Sequence, residues 1–276
     1  IFSIFAVIEY HSLLINFLYS WMSKPQKTDK KQVPLLALRI CIGVLAFLLY
    51  SNTLSHKFTL DDDFFFLKNK AVAKGVASIG SFFTEGSLEG FSDKQGLQPY
   101  RPVTLVSFAI QKEMTGFKLG PAHFVNVLLF SFLCILLFNF LLKIFPRSSV
   151  WIPAVITSLF LFHPVHTEVV ASIKSRDELL AALFGVWSLS IFYGNKLESR
   201  SWTRIACSVI LFALAIFSKE GAVALLAIFP LVSLTLCNEK FKKVIVQLTP
   251  FILVTALFLF MRNNAVGSTL TEKSAD

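Results

Sequence analysis

Apolar residues fall in long blocks along this chain, at about 33–51, 121–142, 150–163, 178–194, 205–218, 221–237 and 244–260. Blocks of this length, without regularly alternating polar faces, predict about seven membrane-spanning helices. The fold class expected is all-α, a polytopic helical membrane protein. Three blocks are short. Val150–Phe162, Leu179–Tyr193 and Ile205–Phe217 hold only about 13 to 15 residues each, roughly 20 Å as helices against roughly 30 Å of hydrocarbon. Such segments are re-entrant or end below the surface, and polar groups at their ends are tolerated where they line a cavity.

A large loop, 52–120, separates the first two spans. Apolar residues recur at helical spacing in Ala71–Phe83 and again in Val103–Lys112, where Pro102 suits a first helical turn. Both read as amphipathic helices on the outer membrane surface. The glycine-rich stretch from Gly86 to Gly96 reads as an irregular connection.

Composition agrees with this picture: the chain is 55% hydrophobic and 16% charged, where a soluble domain carries about 25% charged residues. The net charge of +9 does not mark a nucleic-acid partner, because its distribution follows the membrane. With the amino terminus inside, the inner segments hold Lys24, Lys27, Lys30, Lys31, Arg39, Lys143, Arg147, Lys196, Arg200, Arg204, Lys240, Lys242 and Lys243, against few acids. Cys41, Cys134, Cys207 and Cys237 lie in or at the ends of apolar spans, as small packing residues, without metal or disulfide spacing.

In this topology four polar clusters converge on the outer side. They are Asp61-Asp62-Asp63; Tyr100-Arg101-Pro102; His163, His166 and Glu168 with the segment Lys174 to Glu178; and Ser218-Lys219-Glu220-Gly221. Polar interruptions without a purpose would be shared between the two faces. Adjacent carboxylates raise each other's pKa, which suits one of them to accept a proton. A helix cap beginning near Phe64, or a cation site, fits the same spacing. His163 and His166 lack the spacing of a helical zinc site, so a polar wall offering hydrogen bonds to a substrate, or a structural network, is expected there. Arg101, Lys174, Arg176 and Lys219 are outward cations beside apolar spans, suited to a phosphate headgroup or to neutralising Asp177, Glu178 and Glu220.

The segment Phe58-Thr-Leu-Asp-Asp-Asp-Phe-Phe-Phe-Leu-Lys-Asn69 resembles the first luminal loop of the transmembrane and tetratricopeptide-repeat-containing family. Tyr100-Arg-Pro-Val-Thr104, Pro121-Ala-His-Phe-Val-Asn-Val127, His163-Pro-Val-His-Thr-Glu-Val-Val170, Arg176-Asp-Glu-Leu-Leu180 and Ser218-Lys-Glu-Gly221 follow in that family's order, so the resemblance covers about 56–221. It implies a C-type glycosyltransferase that takes a sugar, mannose in members of assigned activity, from a polyprenyl or dolichyl phosphate. The acceptor implied is a protein Ser or Thr hydroxyl. The resemblance carries the catalytic acids onto Asp61 and Asp62; Asp63 stands where the family is usually not acidic. The substrate-binding set expected is Asp63, Tyr100, Arg101, His163, His166, Glu168, Lys174, Arg176, Lys219 and Glu220.

The organisation expected is a doubtful upstream or extra hydrophobic segment at 1–21, a basic cytoplasmic tail at 22–32 after Met22, a membrane domain at 33–262 and a truncated outer loop at 263–276. No cofactor or metal is called for beyond the lipid-linked sugar as substrate. Expected partners are that donor, membrane lipids and a protein acceptor. The setting is a bacterial inner membrane or the endoplasmic reticulum, with the site on the periplasmic or luminal side. Two rival functions share these features. One is a cation-coupled transporter or flippase, against which the loop position of the acids counts. The other is a non-catalytic membrane scaffold.

Overall fold

The computed structural model describes residues 34–58, 62–88, 99–194, 201–235, 237 and 239–266, with the backbone alone at 63 and 64. Helices α1 (Leu35–Tyr50), α2 (Pro102–Thr115), α3 (Leu119–Ile144), α4 (Trp151–Leu161), α5 (His166–Ala171), α6 (Arg176–Tyr193), α7 (Trp202–Ser218), α8 (Leu225–Thr235) and α9 (Phe241–Val266) build it, and no strand occurs among the described residues. Every predicted span is helical. The protein is an all-α membrane protein.

By length and composition three helical segments can cross a bilayer: Leu35–Ser55, which extends α1 by a 3-10 turn, together with α3 and α9. At 26 residues, α3 is roughly 39 Å long, more than the hydrocarbon core requires. Of the three spans read as short only α4 remains so, at 11 residues; α6 and α7 extend to 18 and 17 residues, roughly 27 and 26 Å. Large apolar side chains such as Leu36, Leu159 and Leu253 point outward, each at least 65% exposed, where lipid would cover them.

Lipid tails are as apolar as leucine, so helices in a bilayer are held by close packing and by polar contacts between them. Both are present. Ser188 of α6 and Ser208 of α7 each donate to the other's backbone carbonyl, at 2.7 and 2.8 Å. At Gly185 of α6 an added Cβ would lie 2.8 Å from a methyl of Leu225, so the glycine is what lets the α8 side approach. Phe192, Phe212, Phe229 and Phe251 fill the space between α6, α7, α8 and α9, with Phe229 and Phe251 centroids 4.5 Å apart. A second apolar cluster joins α1, α3, α4 and α6 around Ala46, Val127, Phe138 and Leu183. Here the abundance of phenylalanine finds its structural use.

The large loop folds over one end of this bundle. As expected, Pro102 occupies the first turn of α2, and the helix stops before Gly116, whose φ is 67°. The segment Ala71–Phe83 is not one amphipathic helix, however. It breaks into an α-turn at Lys70–Ala73 and 3-10 turns at Gly75–Ser78 and Ser81–Phe83. Gly75 causes the first break, with φ 69° and a position where a Cβ would strike the Glu113 carboxylate. Phe66, Phe82, Leu105 and Phe108 then form a third apolar cluster with Ala122 and Ile173, seating the loop on α3 and the start of α6.

Topology gives the first testable expectation. Met114 near the end of α2 is 78% exposed and Trp202 at the start of α7 is 70% exposed. These two lie at opposite ends of the bundle, since Thr104 of α2 meets the far end of α7 by donating to the Ser218 carbonyl at 3.0 Å. In a background without native cysteines, a membrane-impermeant maleimide labels Met114→Cys from outside and Trp202→Cys only after permeabilisation. Labelling of Trp202→Cys alone in sealed cells would invert the topology.

Candidate active site

The site begins with how Asp62 is held. It precedes a π-helical turn at Asp63–Leu67, a local widening of the helix often found at functional positions. Phe65 and Phe66 of that turn are buried, and Phe66 packs against Phe108 and Phe117 with centroids 5.3 and 5.1 Å away. With the backbone anchored this way, the Asp62 carboxylate is itself fully buried. Its Oδ1 accepts from the Ser172 hydroxyl at 3.2 Å and from the Lys174 backbone N–H at 2.7 Å.

That segment passes the contact on. Asn126 of α3 donates to the Ser172 carbonyl at 2.8 Å, and its Oδ1 accepts from Arg176 Nε at 3.0 Å. The Arg176 guanidinium is fully buried, donates to the Ala122 carbonyl at 3.1 Å and lies 4.6 Å above the Phe108 ring. Asp62 is the acid whose field reaches it. Asp62, Ser172, Asn126 and Arg176 thus form one continuous polar chain at the N-terminal ends of α3 and α6. His123, buried beside it with its ring centroid 6.2 Å from that of His56, also feels Asp62.

Arg176, Asp177 and Glu178 open α6, two residues before the predicted start, and successive residues point about 100° apart around a helix. Each therefore meets a different neighbour. Asp177, buried, pairs with Arg101 Nη1; Glu178, exposed, pairs with Lys219 Nζ. Arg101 also lies 3.5 Å from Glu220 Oε2 and 5.8 Å from the Phe65 ring centroid. Burial alone would raise the Glu220 carboxyl, but its own backbone N–H and Arg101 reverse this and hold it below the usual range. Tyr100 is buried, donates to the Phe83 carbonyl at 2.8 Å, and its phenol is pushed up to about 12 by loss of solvent.

Below Lys219 and Glu178 an apolar cleft of about 240 Å³ runs between α6 and α8, walled by Ala182, Val186, Leu225 and Ile228. It offers apolar walls with a cation at the mouth.

The structure brings Asp62, the Lys174 backbone and Arg176 into one network, and Arg101, Lys219 and Glu220 into the next. Half-buried Lys174 enters the first through its main chain. His163, His166 and Glu168, in and just before α5, join neither network among the described residues. His163 and Glu168 are exposed, and His163 Nδ1 accepts from the Val165 N–H at 3.3 Å. His166 lies against Phe160 and Phe130, with centroids 4.3 and 5.4 Å away, where burial and nearby His163 lower its pKa. Asp61 and the Asp63 side chain lie outside the described residues. Among the described residues no cluster of three or more metal-ligating side chains occurs.

Sequence reasoning did not single out His123, Asn126 and Ser172 as site residues. The signal for the first two was available: both are polar residues in the first turns of a strongly apolar span.

The comparisons point one way. Over 193 residues the chain is 32% identical to the protein O-mannosyl-transferase tmtc2 of Xenopus laevis, covering 67% of this chain and 22% of that protein. It is 28% identical over 183 residues to the protein O-mannosyl-transferase TMTC3 of Homo sapiens, 65% of this chain and 20% of that one. To TMTC4 of Mus musculus, also a protein O-mannosyl-transferase by name, it is 27% identical over 213 residues, 69% of this chain and 28% of the other. The match therefore spans only 20% to 28% of the length of these relatives. No family profile matches it, and no solved structure does. Similarity of this extent, to several proteins of one kind, makes the chain a relative of the transmembrane and tetratricopeptide-repeat-containing protein O-mannosyl-transferases.

Proposed function

We propose that this chain is the donor-side membrane domain of a protein O-mannosyltransferase that uses a polyprenyl- or dolichyl-phosphate sugar on the non-cytoplasmic face. The observation that carries the reading is the buried Asp62, fixed by the 172–174 segment at the outer mouth of the helices. The names of the relatives support mannose and a protein acceptor. A donor of this type keeps its tail in the bilayer and presents its sugar at the surface, where the ionic cluster lies. A bacterial inner membrane or the endoplasmic reticulum both provide that geometry.

In the step proposed, the acceptor hydroxyl oxygen bonds to the anomeric carbon as the bond from that carbon to the phosphate oxygen breaks. One aspartate takes the hydroxyl proton, and the lipid phosphate leaves with the electron pair. Direct attack inverts the anomeric centre, through an oxocarbenium-like transition state. Full burial and two hydrogen bonds suit Asp62 to positioning the loop, so the proton acceptor assigned is its neighbour Asp61.

The departing phosphate needs a cation. Arg101 is engaged by buried Asp177 and by Glu220, whereas Lys219 pairs with an exposed carboxylate at the mouth of the apolar cleft. Lys219 is therefore the phosphate ligand proposed, with the cleft below it taking the first isoprene units. Lys219→Gln lowers kcat/KM for the lipid donor about tenfold or more, at least about 1.4 kcal/mol, with part of the loss in kcat because the charge on the phosphate grows as it departs. An unchanged kcat/KM removes Lys219 from this role.

The reading itself is tested in membranes carrying the full-length protein, with radiolabelled polyprenyl-phosphate mannose and transfer to protein followed. Transfer from the lipid donor, and not from a nucleotide sugar, is expected. No transfer from the lipid donor overturns it.

A further inference from the structure

At the end of the bundle opposite Asp62, α1, α3 and α6 part around an open cleft of about 810 Å³. Its chemistry is unlike that of the outer cleft. Two cations line it, Arg39 from the first turns of α1 and Lys143 from the last turn of α3, with Asn139, Trp187 and aliphatic side chains between them. Lys143 lies about 25 Å along α3 from Asn126, so the cleft is at the other membrane surface.

The two cations are held in place by neutral groups. Arg39 Nε donates to Asn139 Oδ1 at 2.8 Å, and Lys143 Nζ donates to the carbonyl and hydroxyl of Ser190, both at 2.9 Å. No ion pair joins either one to a carboxylate among the described residues. Neutral partners fix the side chains without cancelling their charge. A planar guanidinium and an ammonium facing one cavity make a binding pair for a phosphate. Trp187, 42% exposed on the same wall, is an aromatic group of the kind that settles at the headgroup level.

We infer that this cleft binds the phosphate headgroup of an anionic phospholipid from the inner leaflet, with Arg39 and Lys143 on the phosphate and the apolar walls against the upper acyl chains. Leu35, Leu136 and Leu142 continue the lining toward the bilayer. A free phosphate would satisfy the cations and leave those walls without an occupant. The site is separate from the donor cleft and stands whether or not the mannosyltransferase reading holds.

The test uses the full-length protein in a neutral detergent. Retention of short-chain phosphatidic acid is compared with that of phosphatidylcholine by native mass spectrometry, with inorganic phosphate as competitor. Selective retention of phosphatidic acid, weakened about fivefold by Arg39→Gln and again by Lys143→Gln, is expected. Since both residues bridge helices, Leu142→Trp provides a second variant that fills the cleft and keeps both cations. It loses the lipid while its thermal transition in detergent is unchanged. Equal retention of the two lipids, full retention by folded Leu142→Trp, or displacement by inorganic phosphate at matched concentration would each overturn the assignment.

Discussion

Asp62→Asn lowers stability by about 1–3 kcal/mol, and adding Arg176→Met to the same chain restores part of it. Asn keeps an oxygen for Ser172 and for the Lys174 N–H, so the mutation leaves those hydrogen bonds in place and removes the charge. What it exposes is the Arg176 guanidinium, fully buried and electrostatically coupled to Asp62. The two charges are joined through Ser172 and Asn126, so removing one leaves the other buried with less compensation, and replacing both with neutral groups avoids that cost. Met follows the arginine stem over Phe108 without the charge. Unfolding midpoints of the two single variants and the double variant in mild detergent complete the cycle. Additive losses, with no rescue, would show that Asp62 does not act as the counter-charge of Arg176.

Asp61→Asn stops mannosyl transfer, reducing turnover by about 10²- to 10⁴-fold, the contribution of a positioned general base. The unfolding midpoint stays near that of the parent. The contrast with Asp62→Asn carries the information, because the two adjacent acids are assigned different work. A change to Asp62 lowers the amount of folded protein and a change to Asp61 lowers the rate per folded molecule. Rate measured against the folded fraction separates them. If Asp61→Asn transfers normally while folded Asp62→Asn does not, the roles are exchanged and Asp62 is the base.

Much of this architecture was legible because membrane solvation writes a coarse, loud code. Each apolar block became a helix, and Arg39 and Lys143 at one end of the bundle and Asp62, Arg101 and Lys219 at the other stand out in the order of the chain. The interruption at Gly75 was less so. Apolar spacing in Ala71–Phe83 is compatible with a continuous helix, and only the positive φ and the approach of Glu113 reveal that the backbone turns there. For the cations, the pairing partners could not be read from spacing. Arg101 and Asp177 are 76 positions apart, and Lys219 and Glu178 are 41 apart. That Arg176 is wholly enclosed while its neighbour Glu178 is exposed depends on which face of α6 meets α3. Asn126 was visible as a polar residue in an apolar span, but its partners were not: joining Ser172 to Arg176 is a relation that exists only once the helices are packed.

The opening turn of α6 behaves as a keyed joint. Three consecutive charged residues engage three separate neighbours, α3 through Arg176, the start of α2 through Asp177 and the link between α7 and α8 through Glu178. Rotating the helix by one residue, about 100°, would withdraw all three keys together and carry a buried arginine and a buried aspartate away from their locks. Greasy helices slide past one another with little penalty in a bilayer, since one apolar face resembles the next. This helix has a single seating, and the surrounding segments are indexed from it.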